Sequence, residues 1–169
     1  PFPGVIATGD KIFFCGSYSD FKIDVFDHKG KKLSPISIKY KRVKFKKKDQ
    51  EIVLQRYYDD PISRPRYEVW KRILKFPRYF PAIRDIFADN KQLYVRTYRK
   101  KDKKTEFYVF STGGQSIKTI FLPIRPSNSK YDFPYLRDSA PFTIKDGILY
   151  QLIDNPKTEV FELHAEKIN

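Results

Sequence analysis

The side chains that most often perform catalysis or bind metals are scarce in this sequence. It contains two histidines, His28 and His164, and a single cysteine, Cys15. The histidines lie at or just after different predicted strands, far apart in the pattern. The sequence therefore supports neither a histidine metal site nor a cysteine–histidine nucleophile pair. Cys15 continues the apolar run at residues 12–14, where we expect a buried free thiol.

One short group of oxygen-bearing side chains remains, because Asp85, Asp89 and Asn90 lie around a single predicted strand. Carboxylate and amide oxygens are calcium ligands, so these three residues are the metal-site candidates. Further ligands would have to converge on them from other parts of the fold. The alternative, which we favour, is a surface ion pair followed by a turn.

Sequence motifs for catalysis are missing as well. The chain has no glycine-rich phosphate loop, no H-E-x-x-H and no G-x-S-x-G. The sequence therefore predicts no catalytic residue and no cofactor, and it favours a protein that is not an enzyme.

Positive charge is the strongest compositional feature, with a formal net charge of +14 at pH 7. Dense cationic runs at residues 39–48 and 99–104 are typical of proteins whose partner is rich in phosphate or carboxylate. Two alternatives remain open: residues 99–104 suit a solvated hairpin tip, and residues 39–48 suit an edge strand protected by lysines. The candidate contacts for an anion or a partner are Lys41, Arg42, Lys44, Lys46, Lys47, Lys48, Arg84, Arg96 and Arg99.

The order of predicted strands indicates an internal repeat. Apolar triplets beginning at Ile12, Leu93 and Ile148 each follow a small polar turn, and each is followed by a second strand with a Val-Phe pair. In the first two copies a glycine turn, at Gly30 and Gly114, precedes a further strand, predicted at residues 33–38 and 116–122 respectively. A short strand also precedes each triplet.

Each copy therefore reads as a four-stranded antiparallel meander, the unit of a β-propeller blade. The blades span about residues 1–38, 80–123 and 140–169, and the third lacks its last strand. We expect an all-β fold, a single partial β-propeller domain of about three blades, with a short helical insert.

The insert, residues 39–79, has a different periodicity. Residues 48–58 lack Gly and Pro and predict a surface helix that ends at Asp59, Asp60 and Pro61. A second helix is predicted from residue 63 or 64 to residue 75, with Ser63 as its cap. We expect the apolar stripe of this helix to pack on the outside of the sheets: Tyr67, Trp70, Ile73 and Leu74.

Residues 76–123 resemble a blade of the bacterial six-bladed β-propeller proteins related to the NHL-repeat group. The matching features are an F-P-A-I approach at residues 80–83, Asp89, Leu-Tyr-Val at residues 93–95, Val-Phe at residues 109–110 and a closing Leu-Pro at residues 122–123. Ser111 replaces a common Asp, and Asn90-Lys91 replaces the usual Gly. The resemblance implies a binding scaffold and export to the periplasm or cell surface of a bacterium.

Three blades cannot close a ring, so we expect the remainder of the propeller to come from a longer chain, another protein subunit or a second copy. The function favoured by the sequence is a non-enzymatic β-propeller module for protein binding. The alternatives are a propeller enzyme of lactonase or lyase type with a site at the channel mouth, and binding of nucleic acid or another anionic polymer through the basic insert. No apolar run is long enough to span a membrane, and we expect a soluble protein.

Overall fold

The computed structural model describes residues 4–17, 19–126, 139–155, 157–158 and 160–168. Its regular structure is mainly β-strand, arranged in three antiparallel sheets, with two short helices between the first sheet and the second. The expectation of a mainly β fold with a helical insert is therefore confirmed. Over the described residues, the strands of each sheet run in an open order and close no barrel.

Sheet 1 contains β1 (Gly4–Thr8), β2 (Lys11–Cys15), β3 (Lys22–Asp27) and β4 (Ile36–Ser37), hydrogen-bonded in that order. The predicted fourth strand, residues 33–38, is shorter than expected. Leu33 still donates its amide to the Val25 carbonyl at 2.8 Å, but Pro35 has no N–H to continue the ladder.

Sheet 2 is the largest, with β5 (Asp85–Asp89), β6 (Gln92–Lys101), β7 (Lys104–Ser111) and β8 (Ser116–Leu122) in meander order. The hairpin of β6 and β7 turns at Asp102 and Lys103, which both have positive φ. The cationic run at residues 99–104 therefore forms a hairpin tip, as one of the two interpretations predicted.

Sheet 3 contains β9 (Phe142–Lys145), β10 (Ile148–Asn155) and β11 (Val160–Lys167). The central strand is β10, which pairs with both neighbours. Within the described residues this sheet has three strands, as the shorter third repeat predicted.

The insert forms α1 (Lys47–Asp59), a 3-10 turn (Arg64–Arg66) and α2 (Tyr67–Ile73). Ser63 occupies the N-cap position of the 3-10 turn, as predicted, but its side chain makes no capping hydrogen bond. The Asp60 carboxylate instead accepts the backbone N–H groups of Ile62 and Ser63 at 3.3 and 3.0 Å.

The apolar stripe of α2 packs differently from the prediction. The Trp70 ring lies 5.8 Å from the Tyr57 ring of α1, so this side chain contacts the other helix of the insert, and Ile73 is exposed. No helix in the described part of the chain combines the length and the apolar character needed to cross a membrane.

The glycine turns form where they were predicted. Gly30 and Gly114 have φ of 79° and 92°, values that L side chains rarely adopt. In sheet 1 the turn is supported by the Asp27 carboxylate, which accepts the amide N–H groups of Lys29 and Lys31. In sheet 2 the Ser111 hydroxyl accepts the Gln115 N–H at 3.1 Å, so serine takes over part of the role of this aspartate.

The three sheets stack face to face and bury two apolar cores. Core 1 lies between sheets 1 and 2 and contains Phe13, Val25, Leu93, Val95 and Phe110 among its buried residues. Core 2 lies between sheets 2 and 3 and contains Tyr94, Phe107, Val109, Ile144 and Leu149. Sheet 2 is therefore covered on both faces.

Strand register shows which residues of the three sheets are equivalent and which face of the sheet they occupy. Phe13 pairs with Val25, Tyr94 with Val109, and Tyr150 with Ala165, so these pairs occupy equivalent positions in the three sheets. Phe13 faces sheet 2, and Tyr94 faces sheet 3. We call this side of each sheet its forward face, and we call the opposite side, which carries Leu93 and Leu149, its backward face.

Backbone contacts between sheets are concentrated at their first strands, since β1 lies beside β5 and β5 lies beside β9. Packed sheets are normally about 10 Å apart. The sheets therefore approach most closely along one line, at their first strands.

The double burial of sheet 2 predicts a large effect of truncating its core. Leu93 is fully buried, whereas Ile62 in the insert is 79% exposed. Leu93→Ala should lower the free energy of unfolding by about 2–5 kcal/mol, because it removes buried methyl groups and leaves a cavity. Urea unfolding measures this change. The matched control Ile62→Ala should change the free energy of unfolding by less than about 0.5 kcal/mol, and equal effects of the two substitutions would contradict the stack.

Candidate functional site

The basic segment, residues 39–48, runs from the end of β4 into the first turn of α1, and before that helix it forms little regular structure. It makes one isolated bridge, between Lys44 and Tyr79. Two backbone bonds flank that bridge, from Phe45 N–H to the Arg78 carbonyl and from Phe80 N–H to the Val43 carbonyl, at 3.1 and 2.9 Å. The alternative of a lysine-protected edge strand therefore holds only for this short pairing.

Most cations of this segment lie at the surface. Arg42 is half-buried, and its guanidinium lies 4.9 Å from the centre of the Tyr79 ring. Arg78 lies over the same ring at 5.4 Å. The remaining predicted contacts in the segment and at the start of α1 are exposed: Lys41, Lys44, Lys46, Lys47 and Lys48.

A row of aromatic rings attaches the basic segment to sheet 2. Phe45 lies 5.8 Å from Phe76 and 4.7 Å from Phe80, and Phe80 stacks on Tyr98 of β6 at 4.4 Å. Sequence reasoning missed this row, although the repeated F-P dipeptides at residues 76–77 and 80–81 were a signal for it. The row holds the exposed lysines at a defined place beside the sheet.

Of the other three predicted cationic contacts, Arg84 and Arg96 lie away from this surface. Arg96 is only 3% exposed, and its Nη1 donates to Asp85 Oδ2 at 3.0 Å and to the Ser139 hydroxyl at 3.2 Å. Burial lowers the pKa of Arg96 to about 10. Arg84 is largely buried over the Tyr98 ring, with its Nε 3.5 Å from the same Asp85 oxygen, and burial lowers its pKa too.

Arg99 joins the basic segment to sheet 2. Its Nη1 donates to Glu106 Oε1 at 3.0 Å, and its Nη2 donates to the Lys41 carbonyl at 3.1 Å. The second oxygen of the buried Glu106 carboxylate accepts from the Thr97 hydroxyl at 2.8 Å. Arg99 therefore fixes the position of the basic segment. Arg84 and Arg96 share the Asp85 carboxylate, and Arg96 also connects sheet 2 to Ser139.

Of the three metal-site candidates, Asp89 and Asn90 lie together and Asp85 lies apart from them. Asp85 and Asp89 occupy opposite ends of β5, about 13 Å apart at the usual rise of a strand. The Asp89 carboxylate accepts from the Gly147 N–H at 3.1 Å and from Asn90 Nδ2 at 3.3 Å, so it joins the turn of sheet 2 to the turn of sheet 3. Among the described residues, no cluster of three or more His, Cys, Asp or Glu side chains is suited to a metal ion.

Cysteine and histidine are also separated. Cys15 is buried in core 1, where burial raises the pKa of its thiol to about 12, so it is protonated at neutral pH. His28 is exposed in the turn after β3, and His164 lies on β11 with its Nε2 3.1 Å from Glu162 Oε2. The prediction of a buried thiol is confirmed.

Exposed apolar side chains mark the forward face of sheet 3. Leu152 on β10 pairs with Leu163 on β11, and Asp154 pairs with Phe161 on the same side of the sheet. Leu152, Phe161 and Leu163 are all exposed. The alternation of apolar residues at 150, 152, 161 and 163 was the sequence signal for a second apolar face.

The chain has no match among known protein families, and a search of curated proteins also finds none.

The position of Asp89 predicts a structural role rather than calcium binding. Asp89→Ala should lower the free energy of unfolding by about 1–3 kcal/mol, because it leaves the partly buried Gly147 N–H without its acceptor. Asp10→Ala is the matched control in the exposed turn of sheet 1 and should have little effect. Thermal unfolding with and without excess calcium completes the test. A rise of the wild-type Tm with calcium that is lost in Asp89→Ala would contradict this role.

Proposed function

We propose that the chain is a non-enzymatic binding module built from β-propeller-type sheets, and that it binds protein through the end faces of its sheet stack. The observation that carries this proposal is the approach of β1 to β5 and of β5 to β9. Sheets that meet at their first strands fan out around a common line, which is the arrangement of propeller blades. At both cores, the forward face of one sheet packs against the backward face of the next sheet.

The end faces need a protein partner because they are apolar. Three large apolar side chains on these faces are exposed to solvent: Phe161 and Leu163 on the forward face of sheet 3, and Val5 on the backward face of sheet 1. Contiguous apolar patches on a surface usually mark interaction sites. The proposal also includes two expectations from the sequence resemblance: that the sheets are blades like those of bacterial six-bladed propellers, and that the protein is exported to the periplasm or cell surface.

Photo-crosslinking tests protein binding at the end face. A benzophenone amino acid placed at Leu163, in cells that produce the chain, should crosslink to protein, and mass spectrometry of the joined peptides identifies the partner. The same probe at Ile62, which is also highly exposed but lies on the insert, is the matched control. Crosslinking at position 163 that does not exceed the yield at position 62 would contradict the proposal.

A second candidate function is binding of an anionic polymer such as nucleic acid. It is favoured by the exposed lysines of the basic segment, which lie beside the Arg42 and Arg78 guanidiniums on the Tyr79 ring. Arg99 and the aromatic row hold this segment in place. An ordered group of cations is a suitable surface for phosphates, since each contact releases counterions.

Salt dependence distinguishes this second function. Binding of a single-stranded oligonucleotide should weaken steeply between 50 and 200 mM salt, about 10-fold or more if several phosphates are contacted. The triple substitution of Lys44, Lys46 and Lys48 by Gln should reduce both the affinity and the salt slope. Substituting Lys101, Lys103 and Lys104 at the hairpin tip is the control of equal charge. Binding that is insensitive to salt, or equally reduced in both variants, would exclude the basic segment.

A further inference from the structure

The two ends of the stack expose positions that are buried elsewhere in the repeat. On the forward face, Ile23, Phe107 and Leu163 are equivalent, since each lies two residues before the partner of Phe13, Tyr94 or Tyr150. Ile23 and Phe107 are 0% exposed because the next sheet covers them, whereas Leu163 is 69% exposed. Sheet 3 therefore presents the face on which a following sheet would pack.

The backward face of sheet 1 shows the same contrast. Val5 pairs with Phe14 as Ile86 pairs with Val95, so Val5 and Ile86 are equivalent. Ile86 is covered by sheet 1 and is 9% exposed, whereas Val5 is 61% exposed. Sheet 1 therefore presents the face that a preceding sheet would cover.

We propose that the forward face of sheet 3 in one copy packs on the backward face of sheet 1 in a second copy, so that the chain associates head to tail. The inference rests on the proposed function and names the partner of the end faces. Its basis is continuity with the interfaces inside the chain, because a forward face meets a backward face at both core 1 and core 2. The forward face of sheet 3 and the backward face of sheet 1 are the two halves of a third such interface, and one chain carries both of them.

The direction of association follows from the same observation. A contact between two forward faces would have no counterpart within the chain, whereas the head-to-tail contact repeats an existing one. Head-to-tail interfaces form a ring if the rotation closes and a filament if it does not. Because the sheets converge at β1, β5 and β9, each added copy continues the curvature about one line, and the expected assembly is a closed ring.

Charge substitutions at each end test the proposal. Leu163→Glu places a carboxylate on the forward face, and Val5→Glu places one on the backward face. Both positions are exposed in the single chain, so each variant should fold like the parent, which circular dichroism verifies. Each should weaken self-association by at least about 100-fold, because the contact would bury an unpaired charge. Ile62→Glu is the control and should associate like the parent.

Sedimentation velocity at physiological ionic strength gives the assembly size, where repulsion between the +14 chains is screened. The parent should form a closed assembly of two or more copies, and each Glu variant should be a monomer. An equimolar mixture of the two variants should form a 1:1 dimer, because Leu163→Glu retains an intact backward face and Val5→Glu retains an intact forward face. This complementation is specific to a head-to-tail contact.

Three outcomes would overturn the inference: a monomeric parent, Val5→Glu assembling like the parent, or a mixture that stays monomeric. A monomeric parent that nevertheless crosslinks from position 163 to another protein would leave the proposed function intact. A monomeric parent without that crosslink would contradict both the head-to-tail association and the proposed function.

Discussion

Burial of both faces of sheet 2 is the constraint on which the rest of the structure depends. Residues 93–97 of β6 are buried without interruption, although a sheet exposed on one side would alternate. Such a strand is stable only if apolar surface covers it from two directions. Sheet 1 supplies one cover through Phe13 and Val25, and sheet 3 supplies the other through Ile144 and Leu149. Two further apolar faces remain at the ends of the stack.

Polar residues reinforce this stacking at its margins. Arg96 reaches from β6 to Ser139 and lies over the Phe142 ring, while Asp89 accepts the Gly147 N–H in the neighbouring turn. Both residues were candidates for a functional site, and both instead connect sheet 2 to sheet 3. Among the cationic candidates, those exposed at the surface lie in the basic segment, which Arg99 and the aromatic row hold against sheet 2. The charged residues that connect the sheets are therefore different from those that are exposed in the basic segment.

The strands could be predicted from sequence because their signals are local. Aromatic and β-branched residues between polar turns located β2, β6 and β10, and the bounds predicted for β8 agree with the structure. The roles of Arg96 and Asp89 could not be predicted, since their partners Ser139 and Gly147 are distant in the chain and are brought close only by sheet stacking. Ser63 was a plausible cap by residue type, but the Asp60 carboxylate takes the neighbouring N–H groups.

Hydrogen exchange tests the stack most directly, with β6 and β10 as the strands to compare. Each is central in its sheet and bonds to a neighbour on both sides, but β6 is covered on both faces and β10 on one. In the Leu163→Glu variant, chosen to exclude the proposed self-association, the amides of β6 should exchange more slowly than those of β10. Equal protection, or faster exchange in β6, would contradict a middle sheet enclosed between two others.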